Sequence, residues 1–223
     1  MTNFESSRLY DALMRMPVIA FELYFLVREV AGIRAVVAAH PYFDGDWLFF
    51  VGLAARVSIV MFIAVLVALH ISRRRPVQKY QTWSPKVAAL AGTLLTYLIL
   101  LTPRAQPDLL WDSLSLAFTL LGSTFAILAV LDLGRSVSVM PEARKLVTSG
   151  LYERVRHPLY LAEEIATIGF CLQFRSWQAL LILVVHFYFQ IRRMDWEEGI
   201  LSAAFRDYAS YKSRTRRLIP GLY

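Results

Sequence analysis

A single cysteine, Cys171, stands in 223 residues. One thiol excludes an internal disulfide, so no covalent staple holds this fold. Charge is sparse as well: Asp, Glu, Lys and Arg make up 18% of the chain against 57% hydrophobic residues, and the mean hydropathy is +0.47. That is too little polar surface for an ordinary soluble domain, and it implies several membrane spans. The four histidines, His40, His70, His157 and His186, are scattered and show none of the close spacings of a zinc site, so no metal centre is expected. There is no Gly-x-Ser-x-Gly elbow, no phosphate-binding loop and no Gly-x-Gly-x-x-Gly following a strand. These absences remove the nucleophile-elbow hydrolases and the Rossmann-type nucleotide domains, so any nucleotide cofactor must bind between helices and loops. No repeat or low-complexity tract occurs. The first apolar run is broken by Glu22 and lacks a clear small-residue cleavage site, so no cleavable signal peptide is expected.

Acidic residues are the scarcer sign, 17 against 24 Lys and Arg, for a net charge of +7 and a pI near 9.7. In a soluble protein that balance would suggest a nucleic-acid partner. Here the basic residues fall in the loops between apolar runs and at the C-terminus, which is the pattern of membrane orientation and not of nucleic-acid binding.

Taken in order, residues 8–39 read as an amphipathic or poorly spanning helix, with Glu22, Arg28, Glu29 and Arg34 interrupting its apolar character. His40-Pro41 and Asp44-Gly45-Asp46 are expected to end it. Residues 47–71 form a clear span, with Trp47 as interface anchor and Arg56 its one charge, expected to pair with Glu22 or another helix. Arg73-Arg74-Arg75-Pro76 stops it in a basic loop that also carries Lys79 and Lys86, which places this loop in the cytoplasm. Residues 87–101 are a shorter span, 103–108 a connection with little charge, and 109–133 a third span. Residues 161–173 and 177–190 are two apolar runs too short for straight crossings of roughly 20 residues, and they suggest a tilted hairpin with both ends cytoplasmic. Glu163 and Glu164 at its entrance must face protein or water. From Ile191 onward the chain is amphipathic, with Met194, Leu201, Phe205 and Tyr208 on one stripe, so a helix leaving the membrane to lie on the cytoplasmic face is predicted. Pro220 is expected to end it. The fold class is all-α: a polytopic membrane bundle of about five transmembrane helices, an N-terminal amphipathic or spanning helix and a C-terminal cytoplasmic helix. Residues 1–133 form its N-terminal membrane helices and 134–223 its functional region.

Two clusters carry chemistry. The first lies in residues 146–160, where Gly150, Tyr152, Arg156, His157, Pro158 and Tyr160 stand in a fixed order beside Arg154. Cations alone would serve to fix topology, but lipid headgroups do not ask for a particular order of Gly, Tyr, His and Pro. The second is Arg192-Arg193 with Glu197-Glu198. Arg193 and Glu197, four apart, share a helix face, where an exposed ion pair would be worth only tenths of a kcal/mol. The hairpin between the clusters brings both to the same membrane face. Tyrosine faces suit a cation, carboxylates suit ammonium or hydroxyl groups, and basic or backbone N–H groups suit a carboxylate.

The order Leu146-Val147, Gly150, Tyr152, Arg156-His157-Pro158 and Tyr160, then an apolar hairpin, then Arg193, Glu197-Glu198, Leu201, Phe205, Tyr208, Tyr211 and a terminal Ile219-Pro220, resembles the isoprenylcysteine carboxyl methyltransferase superfamily, which is similar to the phospholipid methyltransferases. The resemblance covers residues 134–220. It implies an integral-membrane enzyme, multi-pass, using S-adenosylmethionine at a site on the cytoplasmic side, with a hydrophobic or lipidated substrate entering from the membrane. It also implies cofactor contacts at Arg144, Lys145, Leu146, Val147, Tyr152, His157, Pro158, Leu159, Tyr160 and Glu197, and catalytic or substrate roles for Arg193, Glu197 and Glu198. A polar contact that the eukaryotic members place upstream falls here on the Val137 region. The acceptor is left open between a lipid carboxylate, a phospholipid amine and a small thiol. Two other readings remain: a sterol-reductase-like membrane enzyme using NADPH, whose members share a His-Pro-x-Tyr region, and a membrane protein without catalytic activity.

Overall fold

The computed structural model describes residues 8–39, 47–103, 105–106 and 108–223. The expected helix-ending residues His40-Pro41 and 44–46 lie outside them. The described residues hold seven α-helices: α1 (Arg8–Ala39), α2 (Trp47–Ser72), α3 (Trp83–Leu98), α4 (Leu109–Leu133), α5 (Pro158–Phe174), α6 (Trp177–Ala204) and α7 (Tyr208–Arg214). The chain is thus all-α, apart from one two-residue ladder between β1 (Gln78–Lys79) and β2 (Glu142–Ala143). Three helical stretches are long and apolar enough to cross a membrane: Phe49–Ser72, Trp83–Leu101 and Leu109–Ser136.

The helix ends follow local chemistry. Asp108 caps α4 by accepting from the Trp111 N–H at 3.0 Å, and Gly134 ends it at φ 53°, in the left-handed half of the map that costs glycine least. Pro158 starts α5 at a position whose N–H needs no partner. Ser176 caps α6, accepting from Ala179 N at 3.1 Å.

Packing follows small residues. A Cβ on Gly122 of α4 would stand 2.5 Å from Ala166 N, and one on Gly169 of α5 would stand 2.6 Å from Thr119 Oγ1. Ser115 Oγ donates to Gly169 O at 2.7 Å across the same seam. Small residues let two helix backbones approach closely, which is how helices associate where lipid removes the hydrophobic drive. Charges inside the bundle are paired. Glu22 of α1 meets His70 of α2 at 2.8 Å, so Arg56 pairs with Glu29 at 3.6 Å and not with Glu22. Glu164 meets His186 at 3.0 Å, and His186 Nε2 lies 2.9 Å from Gly92 O of α3.

One expectation needs correction. The second arm of the hairpin and the amphipathic stretch after it are a single 28-residue helix, α6. No Pro or capping signal interrupts it between Gln190 and Ile191, and a change of polarity alone does not end a helix. The break comes later, at Phe205, whose backbone is extended (φ −128°, ψ 119°). The expected stripe of Met194, Leu201, Phe205 and Tyr208 is therefore split between α6 and the short α7, although Met194 and Tyr208 are both buried.

Candidate active site

Glycine opens the site. Gly150 adopts φ 63°, and a Cβ there would fall 2.3 Å from the Asp132 carboxylate. The absence of that Cβ lets Asp132, at the end of α4, accept from the Leu151 N–H at 2.7 Å. The loop is thereby anchored to α4 and turns through a 3-10 turn, Gly150–Glu153, that buries Tyr152. Burial, and after it the charge of Glu197, pushes the Tyr152 phenol well above its ordinary value, so it stays neutral.

A cleft of about 430 Å³, counting its open mouth, lies between this loop, the start of α5, the outer half of α6 and the segment after α4. Tyr152, His157, Leu159, Tyr160, Arg193 and Glu197, six of the residues singled out in the sequence, line it together. His157 and Tyr160 stack at 5.3 Å between ring centroids. The Tyr160 hydroxyl donates to Glu197 Oε2 at 2.7 Å. The Arg193 guanidinium lies over the face of the Tyr160 ring, 4.8 Å from its centroid. One aromatic ring is thus held by a histidine, a carboxylate and a cation.

Arg193 and Glu197 share a helix face, but Arg193 takes other partners. Its Nη1 lies 3.8 Å from Glu163 Oε2 and donates to Gln190 Oε1 at 3.3 Å, and its Nη2 donates to Val139 O at 3.2 Å. Gln190 Nε2 in turn donates to Glu163 Oε2 at 2.8 Å. Glu163, like Glu164, therefore faces protein groups, as its cost in lipid requires.

Glu198 stands outside the cleft lining. Its carboxylate receives Arg156 Nε at 2.9 Å, His157 Nε2 at 3.2 Å and Lys212 Nζ at 2.8 Å, and it forms an ion pair with Arg217, whose Nε lies 3.2 Å away without a hydrogen bond. Burial alone would raise its pKa. The hydrogen bonds from His157, Lys212 and Arg156 outweigh that and hold the carboxyl far below the usual carboxylate range. Two backbone hydrogen bonds, Arg156 N to Arg216 O at 2.8 Å and His157 N to Arg217 O at 3.0 Å, tie the C-terminal segment to the loop beside this hub. Tyr211 Oη adds a third tie by donating to Tyr152 O at 2.7 Å. Glu198 is thus placed to hold the wall of the cleft, with the cations of the wall gathered around it.

The 144–147 stretch is split. Arg144 is buried and bonded to Glu142, which lines the cleft, whereas Lys145 is exposed and Leu146 and Val147 are half-buried behind it. Pro158 is buried as the first residue of α5. Sequence reasoning missed Leu133, Ser136, Ser138, Met140 and Glu142, which line the opposite wall. At the Val137 position the side chain is buried, but its neighbours Ser136 and Ser138 supply polar groups to the cleft. The one available signal was Glu142, the sole acidic residue between Arg135 and Lys145.

Residues 111–208 match the family model for phospholipid methyltransferases. The matched stretch runs from the first turn of α4 to the first residue of α7 and contains every cleft residue named above. That family belongs to the superfamily of membrane methyltransferases that also holds the isoprenylcysteine carboxyl methyltransferases, in agreement with the sequence resemblance. A search of curated proteins finds no match to the chain.

Proposed function

With the phospholipid methyltransferase match of residues 111–208 as premise, we propose that this protein is an integral-membrane, S-adenosylmethionine-dependent methyltransferase acting on a lipid-like or isoprenylcysteine-type acceptor. The observation that carries the reading is the convergence of Tyr152, His157, Tyr160, Arg193 and Glu197 on one cleft.

The residues present suit the cofactor. Nε and Nη1 of Arg144, behind the cleft-lining Glu142, are buried without a hydrogen-bond partner, and unpaired buried guanidinium nitrogens favour an incoming carboxylate. Glu197 has a second oxygen left for an ammonium or a ribose hydroxyl, since only its Oε2 is engaged by Tyr160. The face of Tyr152 suits a cationic sulfur. When bound, S-adenosylmethionine supplies an activated methyl group on a sulfonium centre.

The chain's own part is alignment, because a displacement of this kind needs geometry more than acid–base groups. Tyr160 stacks on His157 and carries the Arg193 guanidinium over its ring. Glu197 fixes its hydroxyl. Leu133, Met140 and Leu159 give apolar walls that limit water. Glu198 keeps His157 and Arg156 in place from behind. The basic loops favour a site on the cytoplasmic side, with a hydrophobic acceptor reaching it from the membrane.

Thermal unfolding of the detergent-solubilised protein tests the reading. S-adenosylhomocysteine should raise the midpoint and NADPH should not. Methyl transfer from labelled S-adenosylmethionine to total membrane lipid or lipidated peptides should follow. Stabilisation by NADPH alone would favour the reductase reading, and no response to either would favour a protein without this chemistry.

A further inference from the structure

Residues 47–107 contain no Asp or Glu, yet they carry Arg73-Arg74-Arg75, Lys79 and Lys86. The loop 73–82 starts where the apolar stretch Phe49–Ser72 stops and finishes where Trp83–Leu101 begins. Both of its ends are therefore set at the level of lipid headgroups. Exposed apolar groups keep it there: Val77 is 68% exposed and Trp83, an indole at the end of a span, 77%. Beside them Arg74 and Arg75 are exposed and make no ion pair among the described residues.

A third arginine joins them from far along the chain. The Arg74 N–H donates to Arg135 O at 2.7 Å, and Arg135 Nε donates to Ser72 O at 2.5 Å. The Arg135 side chain is exposed, and no hydrogen bond within the described residues engages its Nη groups. The acids nearest in sequence are committed elsewhere. Asp132 accepts from the Leu151 N–H, and Glu142 is paired with Arg144. Three guanidinium forks with open N–H groups suit phosphate oxygens, which arginine holds bidentately. A zwitterionic headgroup masks its phosphate with its own cation. A headgroup of net negative charge does not.

Orientation in the membrane asks only for cations near the ends of spans. It does not ask that the loop carrying them be bonded to the wall of a cleft, and this loop is. Val77 N donates to Ala143 O at 2.6 Å, and the β1–β2 ladder sets Gln78 against Ala143 and Lys79 against Glu142. The segment so held supplies Ser136, Ser138, Met140 and Glu142 to the cleft. From the cleft side Arg193 Nη2 donates to Val139 O at 3.2 Å. The wall is thus an irregular segment between Arg193 in front and the basic loop behind, and what steadies the loop steadies the wall.

We propose that Arg74, Arg75 and Arg135 form a binding surface for anionic lipid headgroups, and that a bound headgroup fixes the 134–143 wall of the cleft through the β1–β2 ladder. The charge of the surrounding leaflet then sets how well the cleft is ordered. The inference stands apart from the methyltransferase reading, because it concerns the order of the wall and not what the cleft holds.

Equilibrium binding in neutral detergent micelles tests the surface, with fluorescent phosphatidylglycerol and phosphatidylcholine of equal chain length as probes. The parent should prefer phosphatidylglycerol by about tenfold or more, at about fivefold for each arginine. Arg74→Gln with Arg75→Gln should abolish the preference, and Arg74→Lys with Arg75→Lys should keep part of it. The single Arg75→Gln alters a side chain that makes no ion pair and should weaken the preference about fivefold, which decides the matter should the double variant not fold. Arg206→Gln with Arg214→Gln removes the same charge from exposed positions beside and within α7 and should change nothing. In nanodiscs, replacing phosphatidylcholine by phosphatidylglycerol should slow hydrogen exchange in residues 72–79 and 134–143 of the parent but not of the Gln pair. A parent without the preference, an Arg75→Gln variant with the parent's preference, or an equal loss in the α7 pair overturns the surface. Displacement of the probe by inorganic phosphate at constant ionic strength would assign it to a soluble anion and overturns the lipid. Lipid binding that leaves exchange in 134–143 unchanged overturns the link to the cleft.

Discussion

Tyr160 is the residue around which the cleft is arranged, and the roles of its two charged neighbours separate cleanly. Glu197 holds the hydroxyl of Tyr160 through one oxygen, and the proposed function assigns the other to the cofactor. Glu197→Gln should therefore weaken S-adenosylhomocysteine binding about ten- to a hundredfold, the cost of roughly 1.5–3 kcal/mol for a charge-assisted hydrogen bond. On the same proposal Arg193 serves the acceptor and steadies the ring, so Arg193→Ala should leave that affinity within a few-fold of the parent and remove turnover. Arg193→Lys should restore turnover only in part, since an ammonium lacks the flat fork that stacks on Tyr160 while donating to Gln190 and Val139. Calorimetric binding and turnover on the three variants check this, and equal losses from Glu197→Gln and Arg193→Ala would mean a purely structural role for both. These residues were legible in the sequence because they sit in an ordered string whose types suit a cationic, hydroxyl-rich ligand. Ser136, Ser138 and Met140 were not, because they lie in an irregular segment with no periodicity, and only the tertiary fold brings that segment over the cleft. Glu163 was legible as a costly charge near lipid, while its partners, Gln190 and Arg193, lie far along the chain on another helix.

Elements were legible where their ends carry chemistry. The α4 span was expected at 109–133 and is found at Leu109–Leu133, because Asp108 caps one end and Gly134 the other. The α6 helix was misjudged because polarity changes at Ile191, and polarity marks environment, not backbone conformation. The seam between α4 and α5 was invisible, since Gly122 and Gly169 read only as glycines within apolar runs. The structure makes a sharp distinction there. A Cβ at Gly122 meets backbone atoms, Ala166 N at 2.5 Å and Ala162 O at 2.8 Å, which do not move without parting the helices. At Gly52 a Cβ would make ordinary contact with Leu116 at 3.8 Å. Gly122→Val should destabilise the protein by about 1–3 kcal/mol or more through overpacking, and should displace the loop that Asp132 anchors. Gly52→Ala should be neutral or slightly stabilising, by up to about 1 kcal/mol from helix propensity. Thermal unfolding in detergent compares the two, and a mild Gly122→Val would mean that α4 and α5 tolerate separation.

At the scale of the whole molecule, the charge distribution predicts an orientation of the bundle. Lys79, in β1, and Lys212, in α7, are brought to the same end by the β1–β2 ladder and the Glu198 hub. Lys79→Cys and Lys212→Cys, each in a Cys171→Ser background, should label with an impermeant maleimide from the same side of intact vesicles, and opposite labelling would overturn the orientation. What the sequence did not reveal is that this end is closed by a clasp. Arg156, His157, Lys212 and Arg217 come from three separate stretches and meet on Glu198, a convergence that spacing cannot show. The clasp has a pH signature with a definite sign. Glu198 has its pKa lowered in the folded protein, whereas an unfolded glutamate titrates near about 4.3. A lowered folded pKa gives stability that is complete above about pH 4.3 and drains away as pH falls toward the folded value. Between pH 8 and 5 the Glu198 contribution should therefore be constant. Below about pH 4 the C-terminal segment should loosen from the loop, and hydrogen exchange should rise together in residues 150–157 and 208–218 while the α4–α5 seam stays protected. Glu198→Gln mimics the protonated state at every pH. It leaves Arg156, His157 and Arg217 crowded around a neutral amide, and should cost about 3 kcal/mol at pH 7, the low end for a broken buried pair because Lys212 is half exposed. The variant should also show fast exchange in both segments at pH 7, with no further rise on acidification that the parent does not show elsewhere. A parent whose exchange in these segments is flat down to pH 3.5, or a Glu198→Gln variant as protected as the parent, would mean that the backbone ties between Arg156 and Arg216 hold the wall without the carboxylate.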